Sequence, residues 1–127
     1  MTRRFPIVLV LAALAVTAFA AAPPTVMDIY LKLSPDALVL GGPGVWVTAH
    51  TDIAFSSVDG TSVALEGVEA VSVFADNRGQ LVAKFRQADI EAIVSPPDAT
   101  LTLTGLTVDG VRFAGTDTIR VMESKQK

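Results

Sequence analysis

The 127-residue sequence contains no cysteine and only one histidine. Without cysteine, the chain has no disulfide bond, no thiolate metal ligand, no cysteine nucleophile and no lipidated N-terminal cysteine. A single histidine leaves little scope for a histidine-based metal site or a catalytic triad. These two absences argue against an enzyme and against a metal or other cofactor.

The chain is acidic, and more so when its apolar N-terminal segment is left out. The whole sequence has 10 Lys+Arg and 13 Asp+Glu, a formal net charge of −3. Because Arg3 and Arg4 lie in the first 22 residues, the remainder keeps 8 basic residues against 13 acidic ones, a net charge of −5. Such a chain is a poor electrostatic match for nucleic acid, so we expect no nucleic-acid partner. Its length allows a single core in one domain of about 100 residues.

The first 20 residues have the three parts of a secretory signal peptide. Residues 2–4 form a short positive region through Arg3 and Arg4, residues 7–19 are apolar, and the segment ends in mostly small residues at 18–22. The apolar run is shorter than the ~20 residues that a helix needs to span a bilayer, which favours a cleaved signal over an anchor. We predict cleavage after Ala20 or Ala22. The mature protein is then expected in the periplasm or outside the cell, meeting the membrane only before cleavage.

After a short linker at residues 21–26, apolar and polar residues alternate with a period of two, which is typical of β-strands. The alternating segments are Met27–Leu33, Ala37–Leu40, Val45–Phe55, Val63–Leu65, Val71–Ala75, Leu81–Phe85, Leu101–Leu103, Val111–Phe113 and Ile119–Val121. Turns are predicted at Asp59-Gly60, Asp76–Gly79 and Asp109-Gly110, the last two closing hairpins. Ala88–Val94 is either a turn of helix or an extended crossover, and residues 123–127 are a polar tail.

About seven short strands separated by turn signals every 8 to 12 residues predict an all-β fold. Each strand has one apolar face to bury, so the simplest arrangement for residues 27–122 is two sheets packed face to face. An open barrel is the alternative.

Four segments resemble immunoglobulin-like β-sandwich accessory domains of bacterial secreted and surface proteins, a mostly uncharacterised group. They are Trp46–Ile53, Gly79–Phe85, Leu101–Gly105 and Asp109–Val121. The resemblance covers the chain from about Ile29 to Val121, and it implies an immunoglobulin-like two-sheet sandwich of about seven strands. The disulfide of antibody domains is absent, so antibody-type recognition does not carry over.

His50 and Asp52 lie two residues apart on a predicted strand, so their side chains point to the same face. They could form half of a metal site or an acid–base pair. Zinc needs three or four ligands, however, and the chain has no second histidine and no cysteine. We therefore predict an exposed pair without a metal. Since no serine lies in a G-x-S-x-G or S-x-x-K context, a minimal hydrolase around His50 and Asp52 is the least favoured hypothesis.

Trp46 is the only tryptophan of the chain. If the alternation holds, it shares a face with Thr48, His50 and Asp52, and these four residues are the candidate ligand-binding set. An exposed tryptophan there could stack on a sugar ring or anchor a partner, which makes a carbohydrate-binding module the alternative function. Because large aromatic residues are usually largely buried, we expect Trp46 to lie in the core instead.

The acidic and threonine residues favour structural roles. Six aspartates lie in or beside predicted turns, where aspartate commonly bonds the backbone: Asp36, Asp59, Asp76, Asp98, Asp109 and Asp117. This is favoured over paired carboxylates for glycoside cleavage, with calcium between two acidic loops left open. The threonines are predicted to line the solvent face of a sheet, with strand pairing to a partner as the alternative: Thr100, Thr102, Thr104, Thr107, Thr116 and Thr118.

The leading hypothesis is therefore an exported, non-enzymatic module that binds an unidentified protein or a cell-surface partner. It rests on a complete β pattern that contains no residue set able to carry out chemistry.

Overall fold

Two β-sheets packed face to face make up most of residues 25–124, the part of the chain that the computed structural model describes. The strands are β1 (Val26–Asp28), β2 (Leu31–Ser34), β3 (Ala37–Val39), β4 (Trp46–Ala54), β5 (Val58–Leu65), β6 (Val68–Glu69), β7 (Ser72–Ala75), β8 (Gln80–Arg86), β9 (Asp98–Thr107) and β10 (Arg112–Met122). A 3₁₀ turn spans Phe55–Ser57, and a short helix, α1, spans Gln87–Glu91. The predicted signal peptide at 1–20, most of the linker and residues 125–127 of the tail lie outside the described residues.

The larger sheet has the strand order β1-β10-β9-β5-β6, with β3 also paired to β10, and the smaller sheet has the order β2-β4-β8-β7. Only β1 and β3 run parallel to their neighbour, while the other paired strands are antiparallel. The prediction of two packed sheets is confirmed. The barrel alternative is wrong, because the two sheets are separate and open.

The segment predicted as one strand over Met27–Leu33 is divided between the two sheets. Its first part, β1, pairs with β10, and its last part, β2, pairs with β4. At the crossover, Ile29 N donates to Ala114 O of the larger sheet and Tyr30 N donates to Asp52 Oδ1 of the smaller sheet, both at 2.9 Å. This division is one reason why the described chain has ten strands where about seven were predicted.

The turn predicted at Asp59-Gly60 is wrong, because both residues lie within β5. The pairing of β5 with β9 shifts register between Asp59 and Ala64. Asp59 Oδ1 accepts hydrogen bonds from Thr61 N at 3.1 Å and from Thr61 Oγ1 at 2.7 Å. The turn-forming chemistry of aspartate therefore stabilises an irregularity inside a strand instead of a hairpin.

The other two predicted turns are confirmed. Asp76–Gly79 connects β7 to β8, and Asp109-Gly110 connects β9 to β10. Gly79 and Gly110 have φ values of 80° and 85°, in the left-handed region where a side chain is strained. Of the two alternatives for Ala88–Val94, the turn of helix is correct, since α1 occupies the start of that segment.

The core lies between the inner faces of the two sheets and follows the predicted alternation. On the smaller sheet, Val47 and Ala49 of β4 and Ala83 and Phe85 of β8 have no exposed surface. Facing them are the buried residues Val58, Val63, Leu65, Leu101, Leu103, Phe113 and Ile119 of the larger sheet. Ile90 of α1 is also fully buried, so the short helix adds to the same core.

Gly105 of β9 provides a test of this packing. A Cβ added there would lie 2.9 Å from Phe113 Cε2 and closer still to Phe113 Cζ, and Phe113 is buried in the core. Alanine normally suits a strand better than glycine does, but Gly105→Ala should lower the free energy of unfolding by about 1–3 kcal/mol through overpacking. Urea unfolding measures this change, with exposed Thr104→Ala as the neighbouring control. A Gly105→Ala protein as stable as the parent would contradict the packing.

Candidate functional site

The outer face of β4 carries the four candidate residues in the predicted order. Trp46 and Asp52 are exposed, and Thr48 is partly buried, whereas the alternate residues point into the core. The prediction that Trp46 lies in the core is wrong, since 37% of its surface is exposed. The physical reason is the period of two: the inner positions of β4 are already filled, so the side chain of Trp46 faces outward.

Strand pairing places further residues beside Trp46. Antiparallel register sets Arg86 of β8 opposite Trp46, and Lys84 opposite Thr48. Lys84 Nζ lies 5.7 Å from the centre of the Trp46 ring and 5.9 Å from the centre of the Phe74 ring on β7. Both distances fall within the range of cation–π attraction. Phe74, Lys84 and Trp46 thus lie on a diagonal across β7, β8 and β4, and Arg86 of β8 lies opposite Trp46. We call these four residues the cation–aromatic strip.

The strip lies beside a covered apolar residue. Val82 of β8 is opposite His50 of β4 on one side and Phe74 of β7 on the other. Its side chain belongs to the outer face and is separate from the main core, yet it is only 2% exposed. The surrounding side chains therefore cover Val82, and part of this face is packed although the sheet is open to solvent.

The charge on this face is opposite to that of the whole chain. The basic residues among residues 25–124 are Lys32, Arg78, Lys84, Arg86, Arg112 and Arg120. By register, Lys32, Lys84 and Arg86 all belong to the outer face of the smaller sheet. Asp52 is the acidic residue of β4 on that face, and its Oδ1 accepts the hydrogen bond from Tyr30 N. A positive surface thus lies on a chain whose formal net charge is −3.

Asp76, in the β7–β8 turn at one end of this face, is held by the backbone. Its Oδ1 accepts hydrogen bonds from Arg78 N at 2.8 Å and from Gln80 N at 3.0 Å. The pKa of the Asp76 carboxyl lies below its usual value, mainly because Gln80 N donates a hydrogen bond to the carboxylate. The positive charges of Arg78 and His50 lower this pKa further. The predicted structural role of this aspartate is confirmed.

His50 and Asp52 share a face as predicted, but they have no serine opposite them. The cross-strand neighbours of His50 are Lys32 on β2 and Val82 on β8. Among residues 25–124, no group of three or more His, Cys, Asp or Glu side chains could hold a metal ion. No serine is therefore paired directly opposite His50, the arrangement that the minimal hydrolase would need.

Asp117, another of the six aspartates, lies inside β10 rather than in a turn, so that part of the prediction is wrong. Its Oδ2 accepts a hydrogen bond from Leu33 N at 2.8 Å, and its Oδ1 accepts one from Thr118 N at 2.9 Å. Because Leu33 belongs to β2 of the smaller sheet, this carboxylate connects the two sheets at their edge. Its role is structural, as for Asp76.

The threonine-rich surface of β9 and β10 lies on the larger sheet. Thr100 Oγ1 and Thr118 Oγ1 are 2.8 Å apart across the strand pair, and both side chains are exposed. The favoured prediction of a solvent face is confirmed for these residues.

The chain gave no match in comparisons with known proteins: no family model, no curated protein and no solved structure matches it. Within residues 25–124, no helix has the length and apolar character needed to cross a membrane.

Sequence reasoning missed Phe74, Lys84 and Arg86. Alternation along the predicted β7–β8 hairpin already places these residues on the face that points away from the core. The sequence pattern could therefore have identified them as outward-facing residues. What the sequence did not reveal is that β8 lies between β7 and β4, which brings Lys84 beside Trp46.

Thr51 shapes the strand that carries Trp46 and His50. It is 4% exposed, and it lies where the pairing of β4 with β8 shifts register between His50 and Ala54. Thr51 Oγ1 donates to Leu81 O at 2.8 Å and accepts from Ile53 N at 3.4 Å. The hydroxyl thus supplies hydrogen bonds at the point where the regular ladder is interrupted.

Replacing Thr51 by valine keeps its shape and removes the hydroxyl. We expect Thr51→Val to lower the free energy of unfolding by about 1–3 kcal/mol, because a buried carbonyl loses a donor. Thr51→Ser keeps the donor and serves as the control, losing one buried methyl group. Denaturant titration of the three proteins measures the difference, and a valine variant more stable than the serine variant would contradict this role.

Proposed function

We propose that the chain is an exported, non-enzymatic immunoglobulin-like module that binds a partner at the cell surface through the outer face of its smaller sheet. The observation that carries the proposal is the pair of exposed aromatic rings, Trp46 at 37% and Phe74 at 40%, on either side of Lys84. Large aromatic side chains that stay exposed on an ordered surface are typical anchors for a partner.

The strand order supports the immunoglobulin-like assignment. Immunoglobulin domains of the constant type place strands A, B, E and D in one sheet and C, F and G in the other. The order β2-β4-β8-β7 corresponds to A-B-E-D, and β5-β9-β10 corresponds to C-F-G. The division of the first strand between the sheets, with β1 and β3 parallel to β10, fits the same arrangement.

Surface chemistry supports binding over catalysis. The outer face combines exposed aromatic rings with the positive charges of Lys32, Lys84 and Arg86, while Asp52 is engaged by a backbone N–H. Aromatic residues and arginine are enriched among the residues that form protein interfaces and supply much of their binding energy. The cross-strand neighbours of His50 are Lys32 and Val82, so no serine hydroxyl lies directly opposite it.

Cosedimentation with washed bacterial envelopes tests the proposed face. The mature protein should sediment with the envelopes, and Trp46→Ala combined with Phe74→Ala should lower the bound fraction about tenfold, since aromatic anchors dominate such interfaces. The control combines Val108→Ala with Met122→Ala, two exposed apolar residues outside the smaller sheet.

Equal retention of the aromatic double variant and the parent would contradict the proposed face. A reproducible hydrolytic turnover that His50→Ala abolishes would contradict the non-enzymatic part of the proposal.

Export is tested separately at the N-terminus. When the full chain is produced in a bacterium with a general secretory system, we expect a processed protein that begins at Ala21, because residues 18–20 fit the small-residue cleavage pattern. Intact-mass measurement of the periplasmic fraction locates the cut, with an Ala18→Leu and Ala20→Leu variant as the uncleaved control. Recovery of only the full-length chain in the cytoplasm would contradict export.

A further inference from the structure

We propose that the cation–aromatic strip binds an acidic polysaccharide, whose sugar rings stack on Trp46 and Phe74 and whose carboxylates pair with Lys84 and Arg86. This inference rests on the proposed binding function and names the chemical class of its ligand.

The order of side chains along the strip is the first argument. Phe74, Lys84 and Trp46 place one cation between two rings across three neighbouring strands, and Arg86 adds a second cation opposite Trp46. Since Lys84 Nζ lies within 5.9 Å of both ring centres, the two rings are at most about 12 Å apart and can contact one short segment of polymer. A polyuronate presents a ring face and a carboxylate on every residue, which is the complementary repeat.

The polar groups around Lys84 are the second argument. Thr48 of β4 lies opposite Lys84 on one side, and Ser72 of β7 lies opposite it on the other. Two hydroxyl-bearing residues therefore flank Lys84 on the outer face of the sheet. Hydroxyl groups both donate and accept hydrogen bonds, which suits a ligand that carries hydroxyls as well as carboxylates.

Charge distribution is the third argument. The described chain is rich in acidic residues, so its overall charge repels a polyanion, whereas the face that carries Lys84, Arg86 and Lys32 gathers three of its six basic residues. The guanidinium group of Arg86 can bind a carboxylate through two parallel hydrogen bonds. An acidic polymer is thereby directed to one surface of the molecule.

Fluorescence of Trp46 reports on the site directly, because the chain has no other tryptophan. Titration of the mature protein with oligogalacturonate should shift the Trp46 emission and saturate, whereas neutral dextran oligomers should leave the emission unchanged. Raising NaCl from about 0.1 to 1 M should weaken binding, since the screening length falls from about 10 Å to 3 Å.

Variants separate the two halves of the strip. By calorimetry, Trp46→Ala should weaken oligogalacturonate binding about tenfold and leave its salt dependence in place, whereas Trp46→Phe should restore most of the affinity. Arg86→Gln should weaken binding about threefold to tenfold and reduce the salt dependence. Arg112→Gln on the larger sheet removes the same charge away from the strip and is the matched control. Equal losses from Arg86→Gln and Arg112→Gln would overturn the proposal.

Other polyanions test the chemical class. Poly-glutamate or a single-stranded oligonucleotide that binds as tightly as oligogalacturonate, with the same dependence on Trp46 and Arg86, would overturn the assignment to a polysaccharide. Envelope retention that depends on Trp46 and Phe74, without oligogalacturonate binding, would also overturn it while the proposed binding face stands. Loss of envelope retention in the aromatic double variant alongside saturable oligogalacturonate binding would support both.

Discussion

The antiparallel pairing of β4 with β8 is the constraint on which the rest of the molecule depends. Val47, Ala49, Ala83 and Phe85 are fully buried on the inner side of this pair, so neither strand can slip by one residue without exposing its apolar set. The same register determines the outer side. Once the inner residues are in the core, the side chains of the alternate positions, Trp46 among them, have only the outer face available.

This arrangement separates the residues that stabilise the fold from those of the outer face. The core residues of the two sheets hold the sandwich without a disulfide, and several carboxylates add links to backbone N–H groups, two of them where the sheets meet. Asp117 connects β10 to β2, and Asp52 receives the N–H of Tyr30 where the chain enters the smaller sheet. The side chains of the strip help to cover Val82 but lie outside the core between the two sheets. Their substitution should therefore alter the surface more than the fold.

Local pattern was a good guide wherever a feature depends on neighbouring residues. The alternation of β4, the β7–β8 and β9–β10 hairpins, and the turn glycines Gly79 and Gly110 were all predicted and are all present. The turn predicted at Asp59-Gly60 was wrong, because the same local hydrogen bonds that close a hairpin also stabilise an irregular strand. The prediction of a buried Trp46 was wrong for another reason. Tryptophan generally prefers burial, but the inner face of β4 is already filled by other side chains, so Trp46 lies on the outer face.

The sequence by itself determined the all-β class, the alternation of inner and outer positions along β4 and β8, and the acidic character of the chain outside its apolar N-terminus. These properties follow from composition and from the period of two, which act over a few residues. Only the tertiary structure decided that Phe74, Lys84 and Trp46 lie together. Their strands become neighbours because two sheets must bury their apolar faces against each other, and that choice involves the whole chain at once.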